Sequence, residues 1–291
     1  MASVDKVRIE KLGSRYNSGT FAITFNCKPQ KFLKSGEEPM VFWTTAVIPS
    51  EETASGKDGI HSGIFDFAKI SKDISLTISC PAAETILVTY QSLSFDPIEQ
   101  ETSIITTDTI TCENGNTIVL NYDPTATCGD FVLTCSDSDT VSAVVHCILS
   151  EGLELTEMDI PFAAKYTFAN PTGFTARPII VFGGLINADI TLKNYLDDEV
   201  EETYSLYAET NVLIERNKTY LDCDSMYMYN ENGNNITQQL HITTAIDKTG
   251  RSLVFPRFLG ENIEIEPHVK STEFYPGFIP LIWVYPRWWT V

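Results

Sequence analysis

Val141-Ser-Ala-Val-Val-His-Cys-Ile-Leu149 places Val141, Ala143, Val145, Cys147 and Leu149 on one side of an extended chain. Ser142, Val144, His146 and Ile148 fall on the other. A period of two in β-branched residues predicts a half-buried strand. The same reading applies to Phe21–Phe25, Ile74–Ile78, Ile86–Tyr90, Thr117–Leu120, Ile179–Phe182, Ala188–Leu192, Tyr220–Asp224 and Ile263–Glu266. Turn signals separate these runs: Glu113-Asn-Gly-Asn116, Tyr122-Asp-Pro124, Cys128-Gly-Asp130, Glu231-Asn-Gly-Asn234 and Lys248-Thr-Gly-Arg251. The last two lie between strands and read as hairpins needing positive φ at Gly or Asn. Helical periodicity is confined to Ile64–Ile70 and parts of 193–215. Residues 50–63 read as a loop, and Asp197–Glu202 as an exposed hairpin or loop. Many short strands with regular turns predict an all-β chain of antiparallel sandwiches.

Composition limits the function classes. Hydrophobic residues make up 43% of the 291, enough for a packed core. No apolar run reaches the length of a membrane span, and the N-terminus shows no apolar signal region. The formal net charge is −19. Residues 1–40 carry a net +3, residues 41–160 a net −16 and residues 161–291 a net −6. So acidic a middle segment argues against nucleic-acid binding, because phosphates require Lys and Arg. The seven cysteines contain no C-x-x-C pair, and buried free thiols are expected, with one disulfide in the middle segment as the alternative.

No nucleophile elbow, phosphate loop, zinc-protease helix or dinucleotide fingerprint occurs, so the chain is expected not to be an enzyme and to use no cofactor. The four histidines are scattered; His146 and His241 lie in strand patterns and read as structural. Ser136-Asp-Ser-Asp139 lacks the spacing of a cation loop and reads as a turn, so no metal is expected. Trp43, Tyr90 and Tyr122 are the candidate carbohydrate contacts, since aromatic rings offer apolar area at little entropy cost. The competing reading of Trp43 is core, because Val41-Phe-Trp-Thr-Thr-Ala-Val47 reads as a strand. Trp283 likewise belongs to a last strand, while an exposed Trp288-Trp289 pair would mark an interface.

Two distant stretches read as halves of one domain. The first is Phe21-Ala-Ile-Thr-Phe-Asn-Cys-Lys-Pro-Gln-Lys-Phe32. The second holds Asn170-Pro-Thr172, Pro178-Ile-Ile180, Leu221-Asp-Cys-Asp224, Phe255-Pro256 with Gly260-Glu-Asn262, and Pro286-Arg-Trp-Trp289. In this order the pieces resemble the C-terminal half of siphophage distal tail proteins. The resemblance implies a galectin-like β-sandwich over 1–40 and 155–291, interrupted by a second, inserted β-sandwich of carbohydrate-binding type over 41–154. It further implies a virion protein of the tail tip, made in the host cytoplasm, hexameric in the virion and monomeric as this chain alone. Its partners would be the tail tube protein, the tail-associated lysin or receptor-binding proteins, and a host wall saccharide, with no nucleic acid or membrane. The −16 segment would favour a neutral saccharide. The alternative is a purely structural insert that docks other tail proteins without binding glycan.

Overall fold

The structure is a computed structural model. It describes residues 2–12, 19–27, 31–81, 85–99, 101–137, 139–151, 154–183, 188–208, 218–269, 279 and 281–290, with the backbone alone for those before Leu33. Among the described residues the strands form four antiparallel sheets and two small ribbons. Sheet one runs β10 (Glu101–Cys112), β9 (Ile86–Asp96), β12 (Cys128–Thr134), β6 (Gly59–His61) and β5 (Ala46–Ile48), with β7 (Phe65–Asp66) beside β12. Sheet two runs β11 (Thr117–Asn121), β8 (Asp73–Ser79), β13 (Ser142–Glu151) and β14 (Glu154–Ala163). Sheet three runs β20 (Tyr227–Asn230), β19 (Thr219–Asp222), β16 (Ile179–Phe182), β23 (Leu281–Tyr285) and β4 (Met40–Trp43). Sheet four runs β15 (Tyr166–Phe168), β22 (Asn262–Val269), β17 (Ala188–Leu196), β18 (Glu199–Ala208) and β21 (Leu240–Asp247). The ribbons are β1 (Ala2–Leu12) with β2 (Gly19–Cys27), and β3 (Lys31–Phe32) with β24 (Trp289–Thr290). Among the described residues no helix is long and apolar enough to cross a membrane.

Four antiparallel sheets give the chain the blade count of a four-bladed β-propeller, and the expected galectin-like sandwich carrying an inserted one is not what is found. The galectin-like reading fails at its first stretch. β2 pairs with β1, from Ala2 opposite Cys27 to Leu12 opposite Gly19, and among the described residues with no strand of the C-terminal half. The sheets also depart from the consecutive strand order usual in propeller blades: β12 lies between β9 and β6, and β23 between β16 and β4.

The pleat sends alternate side chains into two buried clusters. Ile74, Leu76 and Ile78 of β8, Val88 and Tyr90 of β9, Phe131 and Leu133 of β12, and Val145 and Cys147 of β13 enter the first, between sheets one and two. Ile180 and Phe182, Ile190 and Leu192, Tyr204 and Leu206, Ile263 and Ile265, and Ile282 and Val284 enter the second, between sheets three and four. Burial of such chains contributes about 1.5–3 kcal/mol each. Strand β4 serves both: Phe42 joins the second cluster and Trp43 the first. The Tyr166 hydroxyl locks this crossing. It donates to the carbonyl of Trp43 at 2.7 Å or of Pro161 at 3.0 Å, and it accepts the Ala163 N–H at 3.1 Å.

Several sequence expectations are corrected. Ile64–Ile70 is not a helix: Phe65–Asp66 pairs with β12, and the Asp66 carboxylate then accepts the Ala68 N–H at 2.7 Å, making a tight turn. Residues 193–208 are strand, joined by Asp197 and Asp198 at φ 51° and 62°, the two-residue turn whose twist suits a hairpin; 209–215 lie outside the described residues. Cys128-Gly-Asp130 opens β12 instead of turning, and Gly129 is required there because a Cβ would stand 2.8 Å from the Tyr122 ring. The expected hairpin turns do form, with Gly233 at φ 76° and Gly250 at φ 79°. Trp288 is buried against Phe168 and Phe258, and Trp289 is half-buried.

One carboxylate at the exposed-looking acidic hairpin is buried. Glu202 takes a bidentate ion pair from Arg257, with Nε at 2.9 and 3.1 Å, and further hydrogen bonds from Asn194 Nδ2 and the Tyr204 hydroxyl, both at 3.0 Å. At the other end of sheet four, His268 at 3.7 Å and Lys193 at 3.1 Å hold the Glu266 carboxyl down at about 2.

Three outcomes follow. Tyr166→Phe strands the Ala163 N–H and is expected to cost about 1–3 kcal/mol in urea unfolding. Arg257→Ala leaves Glu202 as a buried unpaired charge and should cost about 3–5 kcal/mol by the same measurement. Glu266 has a folded-state pKa below its unfolded value. Its contribution is therefore complete above about pH 4.5 and lost as pH falls toward about 2. A Glu266→Gln variant should show a flatter stability profile across that acid window.

Candidate functional site

The pleat that fills the first core also builds a site on the opposite face of sheet one. In β12, Phe131 and Leu133 point into the core, so Asp130 and Val132 point outward. Asp130 stands opposite Gln91 of β9, and Gln91 opposite Thr107 of β10; His61 of β6 stands opposite Val132. This register brings His61 and Asp130 together across 69 residues of sequence, with Nε2 3.0 Å from Oδ2. Both side chains are about nine-tenths buried, at 10% and 9% exposure. The other carboxylate oxygen accepts the Gln91 backbone N–H at 3.2 Å. With the Asp130 carboxylate accepting, His61 Nε2 is the donor.

Above this pair lies a groove of about 450 Å³. Ile48, Ile64, Leu93, Ile104 and Val132 form aliphatic walls, and Thr89, Gln91 and Thr102 supply polar groups. The volume falls in the range of small-ligand sites, and aliphatic walls with a few convergent polar groups are their usual chemistry. Among the described residues no aromatic ring lines it.

The three residues singled out from sequence sit directly beneath. Trp43, Tyr90 and Tyr122 are all buried in the first cluster, at 0%, 5% and 7% exposure. Trp43 packs edge-on against Phe65, and Tyr90 against Tyr122. The Trp43 indole N–H donates to the carbonyl of Ser62, the residue after His61, at 2.9 Å. The Tyr122 hydroxyl donates to the carbonyl of Asp130 at 2.9 Å, and burial pushes its phenol well above the usual range. Tyr90 precedes Gln91. Their rings thus fix the backbone under the groove, and their faces meet other core rings. His61 and Asp130 escaped the sequence reading because Asp130 sat in an apparent turn. The outward series Asp130, Val132, Thr134, alternating with Phe131 and Leu133, is the signal that marks its face.

A second imidazole–carboxylate pair lies on the outer face of sheet two. His146 Nδ1 is 2.5 Å from Asp159, its Nε2 is 2.9 Å from the Thr77 hydroxyl, and Thr77 meets Thr117 at 2.8 Å. The order is that of an acid, imidazole and hydroxyl relay, but it runs across an open face, with His146 36% and Asp159 69% exposed. It is a cross-strand ladder joining β11, β8, β13 and β14. Cys80, Cys112, Cys128, Cys135, Cys147 and Cys223 are buried thiols outside any disulfide, and burial pushes Cys128 up to about 11 and Cys147 up to about 12, which suppresses the reactive thiolate.

The short motifs have local explanations. Asn170 accepts the Thr172 N–H at 2.9 Å in a turn, Gly260 takes φ 86° against the Tyr195 carbonyl, and Arg287, at φ 55°, pairs with Asp222 at 3.2 Å. In comparisons with known proteins, no family model, curated protein or solved structure matches the chain. The resemblance to siphophage distal tail proteins therefore has no support there. The fold contradicts the galectin-like scaffold and inserted module on which both the adsorption role and its tail-docking alternative depended.

Proposed function

We propose that this chain is a recognition protein that works by binding rather than catalysis, and that the groove over His61 and Asp130 takes an aliphatic group with a cationic head from a basic partner. The groove itself carries this reading. Its walls offer apolar area, its floor offers an imidazole beside a buried carboxylate, and seven of its ten lining residues come from a segment of one charge sign. From Asp73 to Ala164 the chain has fifteen Asp or Glu and no Lys or Arg. Such a field raises the local concentration of cations and disfavours anions. His61 and Asp130 are hydrogen-bonded to each other at the groove floor, an arrangement suited to holding a donor group.

The test uses the full chain labelled with ¹⁵N and two peptides, acetyl-Leu-Lys-Val-Lys-amide and its glutamate counterpart. The lysine peptide is expected to shift the resonances of His61, Gln91, Ile104 and Val132, to weaken with added salt, and to lose about tenfold in affinity in Asp130→Asn, a difference of about 1.4 kcal/mol. Equal binding of both peptides, or shifts that avoid these residues, would refute the assignment.

A further inference from the structure

The groove ends at β10, and β10 is an open edge. It is twelve residues long and, among the described residues, pairs with β9 alone. Most of its side chains are exposed, with Ile104 at 61% and Ile105 at 37%. Sheet edges are ordinarily blunted by short length, Lys, Pro, or a bulge. Here there is no Lys and no Pro, and eight of the twelve residues are Thr or Ile. Besides the acidic Glu101 and Asp108, its device is a register shift between Ile104 and Thr106, which leaves Thr106–Cys112 as a regular run. Along that run Thr107 and Thr109 are braced from β9 by Gln91 and Thr89, at 3.4 Å each, so the edge is held extended.

Resting on the function proposed above, we infer that β10 receives an extended, basic strand of the partner protein, which adds antiparallel to Thr106–Cys112 and so runs beside the groove. An added strand gains main-chain hydrogen bonds at the edge and places alternate side chains on the groove face. Charge selects the occupant. Glu101 and Asp108 lie on β10 and Glu113 follows it, within the stretch that has no Lys or Arg. A Lys opposite Asp108 would form a favourable cross-strand pair. A second copy of this chain would bring the same acidic edge against itself and be repelled.

The experiment measures binding of the full chain to acetyl-Lys-Thr-Val-Lys-Val-Thr-Lys-amide, alongside the same peptide N-methylated at alternate amides and amide hydrogen exchange of the protein. N-methylation keeps charge and side chains but removes the donors a strand needs. The unmodified peptide is expected to slow exchange within Thr106–Cys112 at least tenfold, and the methylated one to bind at least tenfold more weakly. Thr109→Lys, which keeps the backbone donor and adds a repelling charge, should weaken the unmodified peptide. Comparable binding of both peptides, no binding, or unchanged exchange in β10 would overturn the inference. Asp130→Asn separates the two readings. Protection of β10 with no response from His61 or Val132 refutes the groove assignment and keeps the edge. A groove response without protection of β10 does the reverse.

Discussion

The architecture depends on one hydroxyl group. Tyr166 ties the end of β4 to the end of β14, where the two buried clusters meet. Its ring packs 4.6 Å from Phe42 in the second cluster, while the neighbouring Trp43 enters the first. Adjacent residues of a strand must point to opposite faces. A four-residue strand can therefore join two cores only where both faces are covered, and the tyrosine fixes the chain at that crossing. Sheet three extends the same logic: Ile180 and Ile282 face the second cluster, and Val181 and Trp283 the first.

The candidate site is a consequence of that packing. The Trp43 indole that anchors β4 in the first core also holds Ser62, and so the strand that carries His61. Tyr122, packed at 5.0 Å from Phe67, holds the Asp130 carbonyl from below. A buried imidazole–carboxylate pair is tolerated only where its polar atoms are satisfied. Here the carboxylate has two partners, and His61 lines the groove. Rigid rings beneath a polar pair give a site held by strands, which is a more exact support than a loop.

The surface divides by charge and pairing. In sheet four the carboxylates are matched by cations, Glu202 by Arg257, and Glu264 and Glu266 by Lys193. The stretch from Asp73 to Ala164 has no Lys or Arg of its own, and among the described residues the strand at its edge has one neighbour, β9. Among the described residues, the acidic side chains Glu101 and Asp108 and a sheet edge with one strand partner coincide at β10.

Local features were legible from the residues themselves. The alternation in Val141–Leu149 became β13, and the Asn-Gly and Thr-Gly turns became hairpin turns with positive φ, because pleat and turn chemistry are decided over a few residues. The short helix at Ile64–Ile70 was misread because Phe65, Phe67 and Ile70 fit both periods, and pairing with β12 decided between them. The sheet order was not legible, since it is set by which distant strands bury complementary faces. The same holds for the site. His61 and Asp130 meet through the register of β6 on β12, and a hydrogen bond formed across 69 residues has no local signature. Sequence alone determined strands, turns and the acidic field. Tertiary structure decided which aromatic rings became floor and which histidine faced a groove, because both depend on the choice of buried face.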